Sequence, residues 1–191
     1  DGSLWYHTGI TLAETFLSFF LILLLGVGIA VLLWWNTRLS GIMEPYLVML
    51  NSLPKSALAP VFIVWLGANM KTIIVAAVSV AVFGTVLTLY HSFAETEEDK
   101  LKLINTLGGT KKDILTKVIL PGNVPTVISL MKVNLGLALV GVIIGEFLAA
   151  KAGLGYLIIY ASQVFKLDIV ITSIFILCVI SVLLYHGIAK L

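Results

Sequence analysis

The sequence predicts an all-α polytopic membrane protein, and three observations carry that prediction. Hydrophobic residues make up 60% of the 191, charged residues only 12%, and the mean hydropathy is +1.10; soluble domains use roughly 45–50% apolar and about 25% charged residues. Long uncharged windows recur along the chain. Between two of them lies one polar, glycine-punctuated interruption, KLINTLGGTKKDILTKVILP, from Lys102 to Pro121. The net charge of +2 is too small, and the basic residues too dispersed, to point to nucleic acid. Cys178, the single cysteine, lies within an apolar run and is read as lipid-facing or packed filler.

A spanning helix needs about 20 mostly apolar residues, and five windows qualify. The first runs from about Ile10 to Trp35, closed by Trp34 and Trp35 with Arg38 beyond. The second, Tyr46 to about Leu66, is interrupted by Pro54, Lys55 and Pro60, which predicts a short helix, a break and a second helix. Thr72 to Tyr90 is the cleanest, bracketed by Lys71 and His91. The fourth, roughly Asn123 to Ala149, starts with Pro125 and carries two internal charges, Lys132 and Glu146; the last extends from Ile169 to about Ile188. The first run is too long for the apolar core of a signal peptide and has no Lys or Arg before it. An odd span count in a chain opening at Asp1 suggests a further helix upstream.

If the long loop is cytoplasmic, that face holds Arg38, Lys100, Lys102, Lys111, Lys112, Lys117 and Lys190, against Lys71, Lys151 and Lys166 opposite. The positive-inside rule therefore places Asp1 outside and Leu191 inside. Within the loop, spanning 94–121 of a single transmembrane domain, Ala94 to Thr106 reads as a short amphipathic helix with Leu101, Ile104 and Leu107 on one face. Gly108 and Gly109 break it, Thr110 caps a second piece, and Pro121 ends that piece. Such a loop on its own rests its apolar face on lipid head groups.

The spacing adds more. Gly108, Val118, Leu120 and Pro121 match the pattern G-x(9)-I-x-L-P, and the loop resembles the coupling helix of permease subunits in binding-protein-dependent ABC importers. SLPKSALAPVFIVWLG (Ser52 to Gly67) and GEFLAAKAGLGYLI (Gly145 to Ile158) are similar to segments of the nitrate, sulfonate and taurine type permeases, in the same order. The resemblance implies that Leu101, Lys102, Leu103, Ile104, Leu107, Gly108, Gly109, Thr110, Leu120 and Pro121 form the surface a cytoplasmic ATPase grips. It implies a second permease copy or homologue, two ATP-binding subunits that hold ATP and Mg, and an extracellular solute-binding protein docking near Ala150 to Asp168. One departure stands out: the family's Glu-Ala-Ala triplet is replaced by Lys102, Leu103 and Ile104. The apolar pair still suits a groove that needs volume more than charge.

Charges inside apolar spans are costly, about 2.5–3.5 kcal/mol at a helix centre on insertion scales. Lys132 and Glu146 fall within about 40° of one helix face but about 21 Å apart along it, so they cannot pair with each other. Glu146 is left to Lys151, a partner subunit or the path. Ser52, Pro54, Lys55 and Pro60 mark interrupted backbone, tolerated at membrane depth only against protein or a watery cavity, and with Lys132 and Glu146 they are the candidate path lining. Gly136, Gly141 and Gly145 offer small surfaces for close helix approach. His7, His91 and His186 fall at separate helix ends, which argues against a shared metal, and no phosphate loop with a Lys-Ser/Thr pair is present, so ATP hydrolysis is assigned to another subunit. The alternative is a channel or passive pore, for which the glycine-elbowed loop has no use.

Overall fold

A computed structural model describes residues 3–189, and every regular element in them is helical. Asp1, Lys190 and Leu191, to which the orientation reading assigned sides, lie outside the described residues. Ten α-helices follow in order: α1 Ser3–Trp35, α2 Thr37–Ser52, α3 Lys55–Leu66, α4 Met70–Ala94, α5 Glu98–Thr106, α6 Lys111–Ile114, α7 Leu120–Gly122, α8 Val124–Ala149, α9 Leu154–Gln163 and α10 Leu167–Ala189. A π-helical turn, Leu115–Ile119, joins α6 to α7. Four of these helices are long and apolar enough to cross a membrane, and α2 with α3, bent by 97°, makes a fifth if the pair counts as one span.

α1 begins well before the Ile10 expected for it. Its 33 residues reach about 50 Å at 1.5 Å per residue, against a hydrocarbon core of about 30 Å. Trp5, Tyr6, His7 and Thr8 dilute the apolar pattern without breaking the helix, so hydropathy alone sets the boundary too late. Asn36 restarts the chain, its Oδ1 accepting from the amides of Arg38 and Leu39 at 3.1 and 3.2 Å. Asn69 caps α4 in the same way through Lys71 and Thr72.

The predicted break in the second span is real but lies at Leu53 and Pro54 alone. Pro60 rides inside α3 without ending it, which corrects the reading of Pro60 as an interruption. A proline displaces only the bond to the carbonyl four residues back; here that carbonyl belongs to Ser56, in the opening turn of a 12-residue helix where little ladder has yet formed.

The core is a three-helix wedge of α1, α4 and α8. At its middle sit Ile22, Ala81 and Ala138, all buried. α8 approaches α4 so closely that a Cβ on Gly141 would stand 2.6 Å from the Cα of Ala77, and one on Gly145 3.0 Å from the Cα of Ile73. Those two glycines are what let the backbones meet; Gly136, four residues from neither, faces open space. α9 and α10 pack together on the flank of α8.

Candidate functional site: a glycine elbow and a buried polar strap

One end of the wedge carries the elbow. α5 enters with Glu98 and Asp99 in its first turn, where carboxylates favour the helix dipole. Gly108 then takes φ +75°, and a Cβ on Gly109 would lie 2.9 Å from the carbonyl oxygen of Ile104. The glycines thus fold the chain back on α5, with the Gly109 amide donating to Ile104 O at 2.9 Å. Thr110 caps α6 through a reciprocal box: the Asp113 amide donates to Thr110 Oγ1 and the Thr110 amide to Asp113 Oδ2 at 2.9 Å. Asp113 also pairs with Lys117 at 2.7 Å. Hydrogen bonding from Lys117, then from Thr110, holds the Asp113 carboxyl well below the usual carboxylate range.

The elbow is anchored from beneath. Ile114 and Ile119 are buried with Ala30 of α1 and Leu89 and Phe93 of α4, and Leu101, Ile104, Leu115, Leu120 and Trp34 pack around them. Ser92 donates to Asn123 Oδ1, tying the end of α4 to the start of α8. Leu101 and Ile104 share one face of α5 as expected, but that face, like Leu120, packs on the bundle instead of projecting from the elbow. Leu107 does not share their face: it stands past the end of α5, where the backbone is already turning into Gly108, and is 76% exposed. Leu103 is 58% exposed. Lys102 pairs along its own helix with Glu98 at 3.0 Å and with Asp99 at 3.9 Å. Pro121 does not stop the second piece, because the π turn widens the ladder ahead of it and the helix runs on to Gly122.

At the opposite end a polar cluster is buried. Thr11, Glu14, Thr15 and Ser18 occupy one stripe of α1, none more than 3% exposed. Glu146, 1% exposed on α8, accepts from Thr11 Oγ1 at 2.7 Å and from the Gly155 amide at 2.6 Å. The Leu154 amide donates to Thr11 Oγ1 at 2.8 Å, and the Gly153 amide to His7 Nδ1 at 2.9 Å. The chain after α8 is thereby strapped across the end of α1. Gly153, at φ +118°, lies so close to the Glu146 carboxyl that any side chain would overlap it. The carboxyl of Glu14 meets that of Glu146, and its Oε2 has no donor. Beside them a cavity of about 310 Å³ is lined by Ile10, Glu14, Asn69, Ile73, Ala150 and Lys151. Deeper in the wedge, Thr85 donates to Asn134 Oδ1 at 3.0 Å.

The remaining residues read from the sequence are scattered. Glu146 bonds to Thr11 and the strap rather than to Lys151. Lys132, half-buried, borders a small cavity of about 60 Å³ between α8 and α10. Ser52, Pro54 and Pro60 lie exposed along the bent α2–α3 pair, and Lys55 Nζ donates to the Asn51 carbonyl. Glu14 is the residue sequence reasoning misses. Its signal is the spacing of Thr11, Glu14, Thr15 and Ser18, four polar groups on one face of an otherwise apolar helix.

The fold is that of a polytopic α-helical membrane protein with a packed elbow between two of its long helices. Residues 22–189 match the family described as "Binding-protein-dependent transport system inner membrane component", and the chain belongs to that family. It is 32% identical over 185 residues to a probable ABC transporter permease protein of Haemophilus influenzae, covering 97% of this chain and 76% of that one. It is 29% identical to the formylaminopyrimidine transport permease protein ThiX of Halalkalibacterium halodurans, over 97% of this chain and 74% of ThiX. It is 24% identical to the taurine transport system permease protein TauC of Escherichia coli, over 100% and 70%. In fold it superposes on the MetNI methionine ABC transporter in an inward-facing conformation with a TM-score of 0.84 at 20% identity, covering 98% of this chain and 94% of that one. The protein is accordingly a multi-pass membrane subunit of an ABC importer, a transport component.

Proposed function

We propose that this subunit forms half of a translocation path and is driven through the elbow by a cytoplasmic ATPase that binds ATP and Mg. What carries the reading is the pair Leu103 and Leu107, exposed apolar side chains on an elbow whose other apolar residues are packed into the bundle. A rigid platform with two projecting leucines suits a groove on a partner. The elbow end is cytoplasmic in this reading, since Arg38, Lys100, Lys102, Lys111, Lys112 and Lys117 cluster there. The bent α2–α3 span supports a path between two subunits. Pro54, Pro60, Val64 and Trp65 stand exposed along it, and interrupted backbone at membrane depth needs protein or water beside it. A second permease copy or homologue would cover that face, and an extracellular binding protein would dock at the strap end.

The substrate class is a small anion or organic solute. The relatives named for taurine and formylaminopyrimidine transport support that range, and in this reading Lys55 and Lys132 would offset the desolvation of an anion. Purification from native membranes tests the assignment: an ATP-binding subunit should accompany the intact chain and be lost when 101–117 are deleted. Downhill solute flux through the purified chain alone, without ATP, would instead establish a passive pore.

A further inference from the structure

The elbow is packed against α1 by apolar contacts, which are non-directional. Among the described residues a single hydrogen bond joins them: Lys111 Nζ donates to the carbonyl oxygen of Trp35 at 2.6 Å. The same ammonium lies 5.4 Å from the ring centroids of both Trp34 and Trp35, in cation–π range. The position is chemically apt. Carbonyls of a helix's last turn lack intrahelical donors and carry the negative end of its dipole, and α1 has no basic residue of its own in that turn. Lys111, from another element, supplies both the donor and the charge.

We infer that Lys111 is a positioning residue that transmits motion of the elbow to α1. This rests on the coupling reading above. Lys111 sits directly after Thr110, inside the capped start of α6, so it moves with the elbow rather than on a loose tether. Trp35 ends a continuous 33-residue helix whose far end, through His7 and Thr11, holds the strap at Gly153 and Leu154. An axial displacement of the elbow therefore reaches the opposite face of the subunit along one rigid rod.

The test uses the permease–ATPase complex in lipid nanodiscs, with exposed Cys178 replaced by serine and a spin label at Tyr6, 63% exposed at the far end of α1, or at Asn105, exposed on α5. Spectra are compared without nucleotide and with ATP and vanadate. Lys111→Met keeps the length of the stem and removes donor and charge; the nucleotide response at Tyr6 should be essentially lost, since a charged hydrogen bond and an exposed cation–π contact together are worth roughly thirtyfold or more. The Asn105 response should persist. Lys111→Arg should restore the Tyr6 response, and Lys112→Met, one position along, should leave it intact. A full Tyr6 response in Lys111→Met, or an equal loss in Lys112→Met, overturns the strut and leaves Lys111 an interfacial anchor. Silence of both labels in the unsubstituted protein would instead overturn the coupling reading itself.

Discussion

Replacing Glu146 by alanine should loosen the strap end of the subunit, and the size of the effect follows from its contacts. The Glu146 carboxyl accepts one hydrogen bond from Thr11 and one from the Gly155 amide, all in a site 1% exposed. Each is worth about 1–2 kcal/mol at this burial, since its donor is left unpaired when the carboxyl goes. The truncated side chain adds a cavity term of about 1 kcal/mol. The sum is about 3–5 kcal/mol, which for a chain of this size lowers Tm by roughly 6–20 °C. Thermal unfolding in detergent, followed by tryptophan fluorescence, reads it. Glu146→Gln keeps the shape and one acceptor and should cost about a third as much. Glu14→Gln should be neutral or stabilising, because its amide offers the Glu146 carboxyl a donor whether or not the two acids share a proton. A Glu146→Ala protein that melts within about 1 °C of the parent would refute the view that this carboxyl holds the strap.

Two further outcomes follow from the packing and the elbow. Gly141→Val and Gly145→Val should each destabilise the α4–α8 contact by about 1–3 kcal/mol, whereas Gly136→Ala, facing open space, should not lower Tm; equal effects at all three would count against close approach as the cause. Asp113 is held below its ordinary range in the folded elbow, so its contribution is present above the unfolded value near pH 4 and is lost only as pH falls through the lower folded value. Hydrogen exchange of the amides after Thr110 should therefore stay protected to about pH 4 and weaken below it, and Asp113→Asn should remove the pH dependence.

The helical spans and the elbow were legible because both are written in local chemistry. Apolar runs bounded by Arg38, Lys71 and His91 set the spans, and Gly108-Gly109-Thr110 spells a turn and a helix cap. What was not legible depended on partners distant in the chain. Pro60 reads as a breaker until its place in the first turns of α3 is known. Leu107 looks periodic with Leu101 and Ile104, but the chain leaves the helix at that residue. Glu146 was marked as costly, yet its partners, Thr11 and Gly155, become visible only when α1 is brought against α8. Lys111 is unremarkable in sequence, one lysine of several, until the fold sets it over Trp35.

Whether an ATPase grips the elbow is read by site-specific photocrosslinking from its two projecting leucines. A benzophenone side chain at Leu103 or Leu107, activated in native membranes, should give an adduct with an ATP-binding subunit, while the same probe at Val64, on the exposed face of α3, should not. Adducts with lipid alone at both leucines, or crosslinks from them to a protein on the extracellular side, would contradict such a grip.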